Sequence, residues 1–397
     1  MIKIDWFSDD TINEYLKFMG RNGVKAKIKK MVKESASDPN TKIDFISFKD
    51  SVSGKKITYS IPIKTLLTGK REEVFEVKGI KSYMCLCRII HNSEDKQILE
   101  EIHKDDINLY QEIKSYGLEK SCEIIKKGNE ELKDIIKYDY ITKDDTQNKI
   151  YNTIRSQLMD SLKIKTCPYC NRNYINSWQN SEKGKISSTA ELDHFYQKDI
   201  YPLFALSLFN FVPSCHVCNA IMKRSDTTET IYPYDEGFEN DTRFEIIRKG
   251  STVDEKSEAE KLLRLWQGIN VTQESEATID IRKYCDDQEK SKRIEDSLEV
   301  FNLNDIYQQH INKALDTALK TRIFFDGSYS NYAETLIEHL GLEKEKNSSS
   351  ISAYTQRDME WLLFGYHWEN GTNFDEPLSK MTYDIYHSII DAMQLSH

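Results

Sequence analysis

The stretch Glu191-Leu192-Asp193-His194-Phe195 lies between Cys167-Pro168-Tyr169-Cys170 and Cys215-His216-Val217-Cys218-Asn219, and this arrangement decides how the rest of the chain is read. A Cys-x-x-Cys lets one tight turn present two thiolates, and two such pairs complete the tetrahedron that a structural Zn²⁺ prefers. Cys167, Cys170, Cys215 and Cys218 are therefore the expected zinc ligands. A shell closed by four sulfurs leaves no position for water or substrate, so this ion is expected to hold the fold and to do no chemistry. The chain has eight cysteines. Cys85, Cys87, Cys122 and Cys285 lack partner spacing and read as buried thiols acting as small hydrophobes.

At 397 residues the chain is long enough for two or three domains and a sizeable core. With 39% hydrophobic and 30% charged residues it has the balance of a folded globular protein. No apolar run approaches the ~20 residues needed to cross a bilayer. The opening Met1-Ile2-Lys3-Ile4-Asp5-Trp6 has no signal-peptide pattern. A cytoplasmic location without membrane contact is the resulting expectation, and it also disfavours a disulfide framework.

A net charge of -10 argues against a protein that coats nucleic acid non-specifically, because phosphate binding relies on clustered Lys and Arg. The centre of the chain departs from that mean. From Ser161 to Arg224 the bases Lys163, Lys165, Arg172, Lys183, Lys185, Lys198, Lys223 and Arg224 outnumber the acids Glu182, Glu191, Asp193 and Asp199.

Three regions follow from patterning: 1–155, 156–235 and 236–397. In the first, Ile43, Phe45, Ile46 and Phe48 lead through Ser51-Val52-Ser53-Gly54 into the alternating Ile57, Tyr59 and Ile61, which predicts a hairpin. Val74 to Ile80 reads as a further strand. Residues 95–136 have helical spacing, with Gly117 and Gly128 as breaks. Lys17, Arg21, Lys25, Lys27, Lys29, Lys30 and Lys33 form a basic run that suits either a solvated face or a nucleic-acid or partner contact.

Beyond Tyr234 the pattern turns mostly helical, with amphipathic segments at 258–267, 294–301, 306–325, 329–340, 356–364 and 383–395 and a polar loop at 346–350. This last region is read as regulatory or partner-binding. Its aromatics Trp361, Phe364, Tyr366 and Trp368 read first as core. The fold class is α+β, with a central zinc-stapled module between an α+β N-terminal region and a mostly helical C-terminal one.

The order of the central residues resembles the HNH family of ββα-metal (His-Me finger) endonucleases. There a Cys pair precedes an Asp-His, an Asn sits in the following loop, and a second Cys pair followed by His or Asn opens a helix. The resemblance runs from Cys167 to Lys223. It implies that His194 is the general base, that Asp193 and Asn219 hold a catalytic metal, and that Asn210 is the loop Asn that keeps the His-bearing strand in register. Oxygen ligands of this kind imply a hard cation, Mg²⁺ or Mn²⁺, beside the structural Zn²⁺. In this sequence Asn219 stands where many relatives carry His, and His216 lies inside the second Cys pair where many carry Arg or Lys. His216 reads as a phosphate contact, a further metal ligand or a residue with no role in the site; Glu191 reads as an outer acid of the site or a solvated charge.

The function so implied is metal-dependent hydrolysis of phosphodiester bonds, with DNA ahead of RNA as substrate and with Arg172, Lys223 and Arg224 as nucleic-acid contacts. The phrase Tyr201-Pro202-Leu203-Phe204-Ala205-Leu206-Ser207-Leu208-Phe209-Asn210, with Cys-Pro-Tyr-Cys before it, is similar to HNH proteins of bacterial anti-phage systems such as Septu. Some of these work beside an ATPase. No phosphate-binding loop motif occurs in this chain, so any ATPase is expected to be a separate subunit. An RNase or restriction-type nuclease with the same site, and a zinc-stabilised nucleic-acid-binding module without catalysis, are the alternatives.

Overall fold

The apolar positions at 43–48 and 57–61 fall on two strands, β1 (Lys42–Lys49) and β2 (Lys56–Pro62), which pair antiparallel as expected. The register slips between Asp44 and Ile46. Such a bulge lets two successive residues face the same way, and Phe45 and Ile46 are both buried. The structure is a computed structural model that describes residues 1–21, 26–49, 56–92, 96–142, 154–179, 186–224, 226, 228–248, 277–325, 360–361, 363–366, 368 and 375–394. Among these, helices combine with four two-stranded antiparallel sheets, an α+β fold. No described helix is long and apolar enough to cross a membrane.

The chain divides into two units, each assembled from separate stretches. One comprises Asp5–Ile164 and Ile175–Asn219. It holds α1 (Asp9–Met19), α2 (Ala26–Ser35), the first hairpin, α3 (Ile63–Thr68), α4 (Arg71–Phe75), α5 (Ile80–Asn92) and α6 (Lys96–Asp105). Helices α7 (Ile107–Tyr116), α8 (Leu118–Ile135), α9 (Asp139–Thr142) and α10 (Ile154–Ser161) follow. The unit also contains the small hairpins β3–β4 (Ser177–Gln179, Ile186–Ser188) and β5–β6 (Glu191–His194, Phe211–Ser214). After β6 the chain enters α11 (Val217–Lys223), a short helix of π winding.

Two expectations for this unit are corrected. Residues 74–80 are not a strand: α4 ends at Phe75 and α5 starts at Ile80. The Glu73 carboxylate accepts from the backbone of Lys70 at 2.9 Å and caps α4. Gly79, at φ +85°, turns the chain where a Cβ would meet the Tyr59 ring at 2.4 Å, so only glycine fits. Gly128 does not break a helix either, since α8 runs through it. A Cβ there would lie 4.0 Å from the Phe45 carbonyl, an ordinary contact, so no close approach demands this glycine and the helix simply carries it. Gly117, at φ +82°, does separate α7 from α8.

The other unit comprises Met1–Ile4, Lys165–Tyr174 and Ala220–His397. Besides helices it contains a hairpin that the helical pattern did not indicate, β7 (Thr242–Arg248) with β8 (Ala277–Lys283). The signal was present: Ala277, Ile279 and Ile281 are buried in strict alternation. Helices α12 (Gln288–Val300), α13 (Leu303–Tyr307), α14 (Ile311–Phe325) and α15 (Ser379–Gln394) complete it. The single helix expected over 306–325 is interrupted by a tighter turn at Gln308–His310. There the Gln308 side chain leaves the helix to accept from the Ile279 backbone at 3.0 Å and donate to its carbonyl at 2.7 Å. The helices expected at 258–267 and 329–340 and the loop at 346–350 lie outside the described residues, as does most of 356–364.

Under β7 lies a buried ion pair. Lys380 Nζ contacts Asp384 at 2.5 and 2.6 Å and the Thr242 carbonyl at 3.1 Å, while Asp384 accepts from the Phe244 backbone at 3.0 Å. Trp368 and Tyr386 form an aromatic cluster that Phe364 and Tyr366 pack against, but Trp361 is 61% exposed.

Candidate functional site

The sulfurs of Cys167, Cys170, Cys215 and Cys218 lie within 4.8 Å of one another, and all four residues are buried. Four converging thiols, reached by no disulfide, match the donor set of a structural zinc ion. The first pair sits in a knuckle. Asn171 donates its backbone N–H to the Cys167 carbonyl at 2.7 Å, and Cys167 donates to Asn173 at 3.0 Å. Asn171 adopts φ +46°, a left-handed conformation that asparagine tolerates better than most residues. Its side chain also accepts from the Lys380 backbone at 3.0 Å, and Tyr307 donates to the Cys170 carbonyl at 2.7 Å. Tyr169 stacks on Phe301 with centroids 4.5 Å apart. The turn that presents two thiols is thus held by hydrogen bonds and ring contacts on several sides.

The Asp-His sequence forms the end of β5, where Asp193 faces Val212 and His194 faces Phe211 on β6. Both side chains are buried, Asp193 at 4% and His194 at 9% exposure. His194 Nε2 lies 3.1 Å from the Ala205 carbonyl oxygen. A carbonyl only accepts, so Nε2 carries the hydrogen and the basic lone pair resides on Nδ1. The edges of the Tyr138 and Phe211 rings meet the imidazole at 4.6 and 5.3 Å and fix its plane.

Asn210 explains how the Ala205 carbonyl comes to be in place. Its Oδ1 accepts from the Tyr196 backbone at 2.6 Å, and its Nδ2 donates to the carbonyls of Tyr196 and Phe204 at 2.8 and 3.1 Å. Phe195 donates to the Asn210 carbonyl at 2.9 Å, so residues 195–210 are closed into a loop by one residue at its far end. With its amide fully engaged and no exposure, Asn210 holds the loop from within and is closed off from solvent. Tyr15 adds a bond from its hydroxyl to the Leu206 carbonyl at 2.6 Å, and Phe75 packs on Tyr196, Phe204 and Phe209.

Asn219 and His216 meet at Glu191. Asn219 Nδ2 donates to Glu191 Oε2 at 2.8 Å, and His216 Nδ1 lies 2.8 Å from Glu191 Oε1. Glu191 and Asp193 are two apart on β5 and therefore share a face by the period of a strand. Of the three residues expected to contact nucleic acid, Lys223 is buried at 4% exposure, and Arg172 donates from Nε to His310 Nε2 at 2.9 Å. Arg224 is exposed, at φ +46°, with its Nε on the Ile221 carbonyl at 2.8 Å.

Tyr138 was not legible as a site residue. It stands far from the motif in sequence, yet it packs on His194 and lies under Lys198, whose Nζ is 5.6 Å from its ring centroid. Burial, with the charges of Glu191 and Asp193, raises its hydroxyl above the ordinary tyrosine value, against the lowering effect of Arg155. Only the fold brings it here. No protein-family model, no curated protein and no solved structure matches this chain.

Proposed function

We propose that the chain is a metal-dependent endonuclease of the HNH type that hydrolyses phosphodiester bonds, with DNA as the favoured substrate. The observation that carries this reading is the orientation of His194. A histidine held by its Nε2–H on a backbone carbonyl, next to an aspartate at the end of a strand, is arranged as a general base with Nδ1 as the acceptor. In this reading His194 takes the proton of the attacking water, and Asn210 and Tyr138 keep its ring in place.

The remaining donors suit a hard cation: the Asp193 carboxylate and the Asn219 amide oxygen would hold Mg²⁺ or Mn²⁺. When bound, such an ion supplies Lewis-acid stabilisation of the charge that grows on the phosphate. The cysteine cluster would hold Zn²⁺ away from that chemistry. Of Arg172, Lys223 and Arg224, only Arg224 is exposed to approach a phosphate. By the same resemblance, the protein acts in the cytoplasm as the effector of a bacterial anti-phage system, with any ATPase as a separate partner.

The test is incubation of the purified protein with supercoiled plasmid, linear DNA and RNA, with Mg²⁺, Mn²⁺ or EDTA. Metal-dependent DNA cleavage lost in His194→Ala is the expected result. Cleavage of RNA alone would move the substrate to RNA, and cleavage of neither would leave a zinc-stabilised binding module.

A further inference from the structure

We propose that Glu191 is a positioning residue, one carboxylate that sets the orientation of Asn219 and His216 together and thereby the affinity of the site for its divalent cation; this rests on the nuclease reading above. An ionised carboxylate offers acceptors only, so both neighbours must present donors to it. Asn219 therefore turns its Nδ2–H₂ toward Glu191 Oε2, and His216 turns its Nδ1–H toward Oε1, each at 2.8 Å.

The consequence for Asn219 is a fixed amide. An asparagine side chain has an oxygen end that ligates a cation and a nitrogen end that repels one, and nothing in its own shape chooses between them. With Nδ2 held on Glu191, Oδ1 faces the other way and is the end presented for ligation. The same carboxylate engages the Nδ1 side of the His216 ring and turns Nε2 away from it, on a side chain that is 66% exposed. Carboxylates that orient a metal-binding residue from behind commonly contribute 10–100-fold to metal affinity.

The backbone prepares this arrangement. Glu191 opens β5 opposite Ser214, the last residue of β6 before Cys215. Asn219 donates its backbone N–H to the Cys215 carbonyl at 3.0 Å, closing a helical turn. His216 and Asn219 are three apart on that turn and therefore share a face. The strand pairing thus delivers one acid to two donors that the following turn has already aligned.

The test measures cation binding directly, by titration calorimetry or Mn²⁺ paramagnetic resonance, on the full chain with its zinc content recorded. In Glu191→Gln the amide keeps the size of the side chain but can accept from only one of the two donors. Mn²⁺ affinity is expected to fall about 10–100-fold with zinc content unchanged, and the same change made in an Asn219→Ala background is expected to have little further effect. Glu191→Asp, too short to reach both donors, serves with the same expectation if the Gln variant loses zinc. Wild-type Mn²⁺ affinity in the Glu191 variants, or a loss fully additive with that of Asn219→Ala, would overturn the proposal. If the wild type cleaves no nucleic acid while Glu191→Gln still weakens Mn²⁺ binding through Asn219, the nuclease reading fails and the positioning role stands. If cleavage depends on His194 while Mn²⁺ affinity ignores Glu191, the reverse holds.

Discussion

Asn210 meets Tyr196 with both ends of its amide, accepting from the backbone N–H at 2.6 Å and donating to the backbone carbonyl at 2.8 Å. A side chain that imitates a strand partner in this way fixes the chain just past His194. Asn210→Ala leaves a buried N–H and two buried carbonyls without their partner, at ~1–3 kcal/mol for each group that water cannot reach. A loss of about 3 kcal/mol or more is expected in urea unfolding. Asn210→Asp, which faces two carbonyl oxygens with a further acceptor, is expected to be no better.

The cysteine cluster sets a metal stoichiometry. One zinc per chain is expected in the purified protein by elemental analysis, and Cys170→Ser or Cys218→Ser is expected to lower it together with the melting temperature. Four buried sulfurs within 4.8 Å require either an ion or another reason to converge. A wild-type protein purified under reducing conditions in zinc-supplied medium and found free of zinc would contradict the assignment.

Lys380 and Asp384 form a pair with side chains 3% and 4% exposed. Removing one partner of a buried pair strands the other charge, at about 3–5 kcal/mol. Asp384→Asn or Lys380→Met alone is thus expected to destabilise strongly, whereas Lys380→Met with Asp384→Leu is expected to lose less than either single change. Chemical denaturation of the three variants reads the comparison, and additive losses would show that the charges do not depend on each other.

Thiol labelling gives a pH test. Burial, reinforced by the charge of Glu101, pushes the Cys85 thiol from an ordinary 9.0 up to about 12, and burial does the same to Cys87 despite the hydrogen bond from Asn129. A raised folded value means that the fold favours the neutral thiol. The stabilisation is complete below about 9 and is lost as pH rises toward about 12. Iodoacetamide at pH 8 is expected to label Cys285, which is partly exposed, and to leave Cys85 and Cys87 unmodified until the protein unfolds.

What the sequence carried and what it did not divide along physical lines. Ligand spacing in Cys167–Cys170 and Cys215–Cys218 is a local constraint, and the alternation at Ile57, Tyr59 and Ile61 is a local period; both are written in a few consecutive residues. The stretch from Val74 to Ile80 suggests a strand because a short apolar run has no period long enough to decide; the end of α4 and the start of α5 there are set by a cap at Glu73 and a glycine fitted to Tyr59. Gly128 lies inside α8, where the cost of one glycine is small beside the packing of the rest of the helix. At the site, His194 and Asn210 stood out as motif residues. The partnership of Glu191 with both His216 and Asn219 depends on the register of β5 with β6, and Tyr138 stands in the turn between α8 and α9, which brings its ring against His194. Such contacts are set by tertiary packing, and a single sequence does not encode them in any short pattern.

The measurement that bears most directly on the central claim is cleavage of supercoiled plasmid in Mn²⁺ by the wild type and by His194→Ala, both at wild-type zinc content. A positioned general base contributes about 10²–10⁴-fold, so the expected result is nicking or linearisation by the wild type and a rate lower by that factor in the variant. Equal rates in the two proteins would contradict the assignment of His194 as the base.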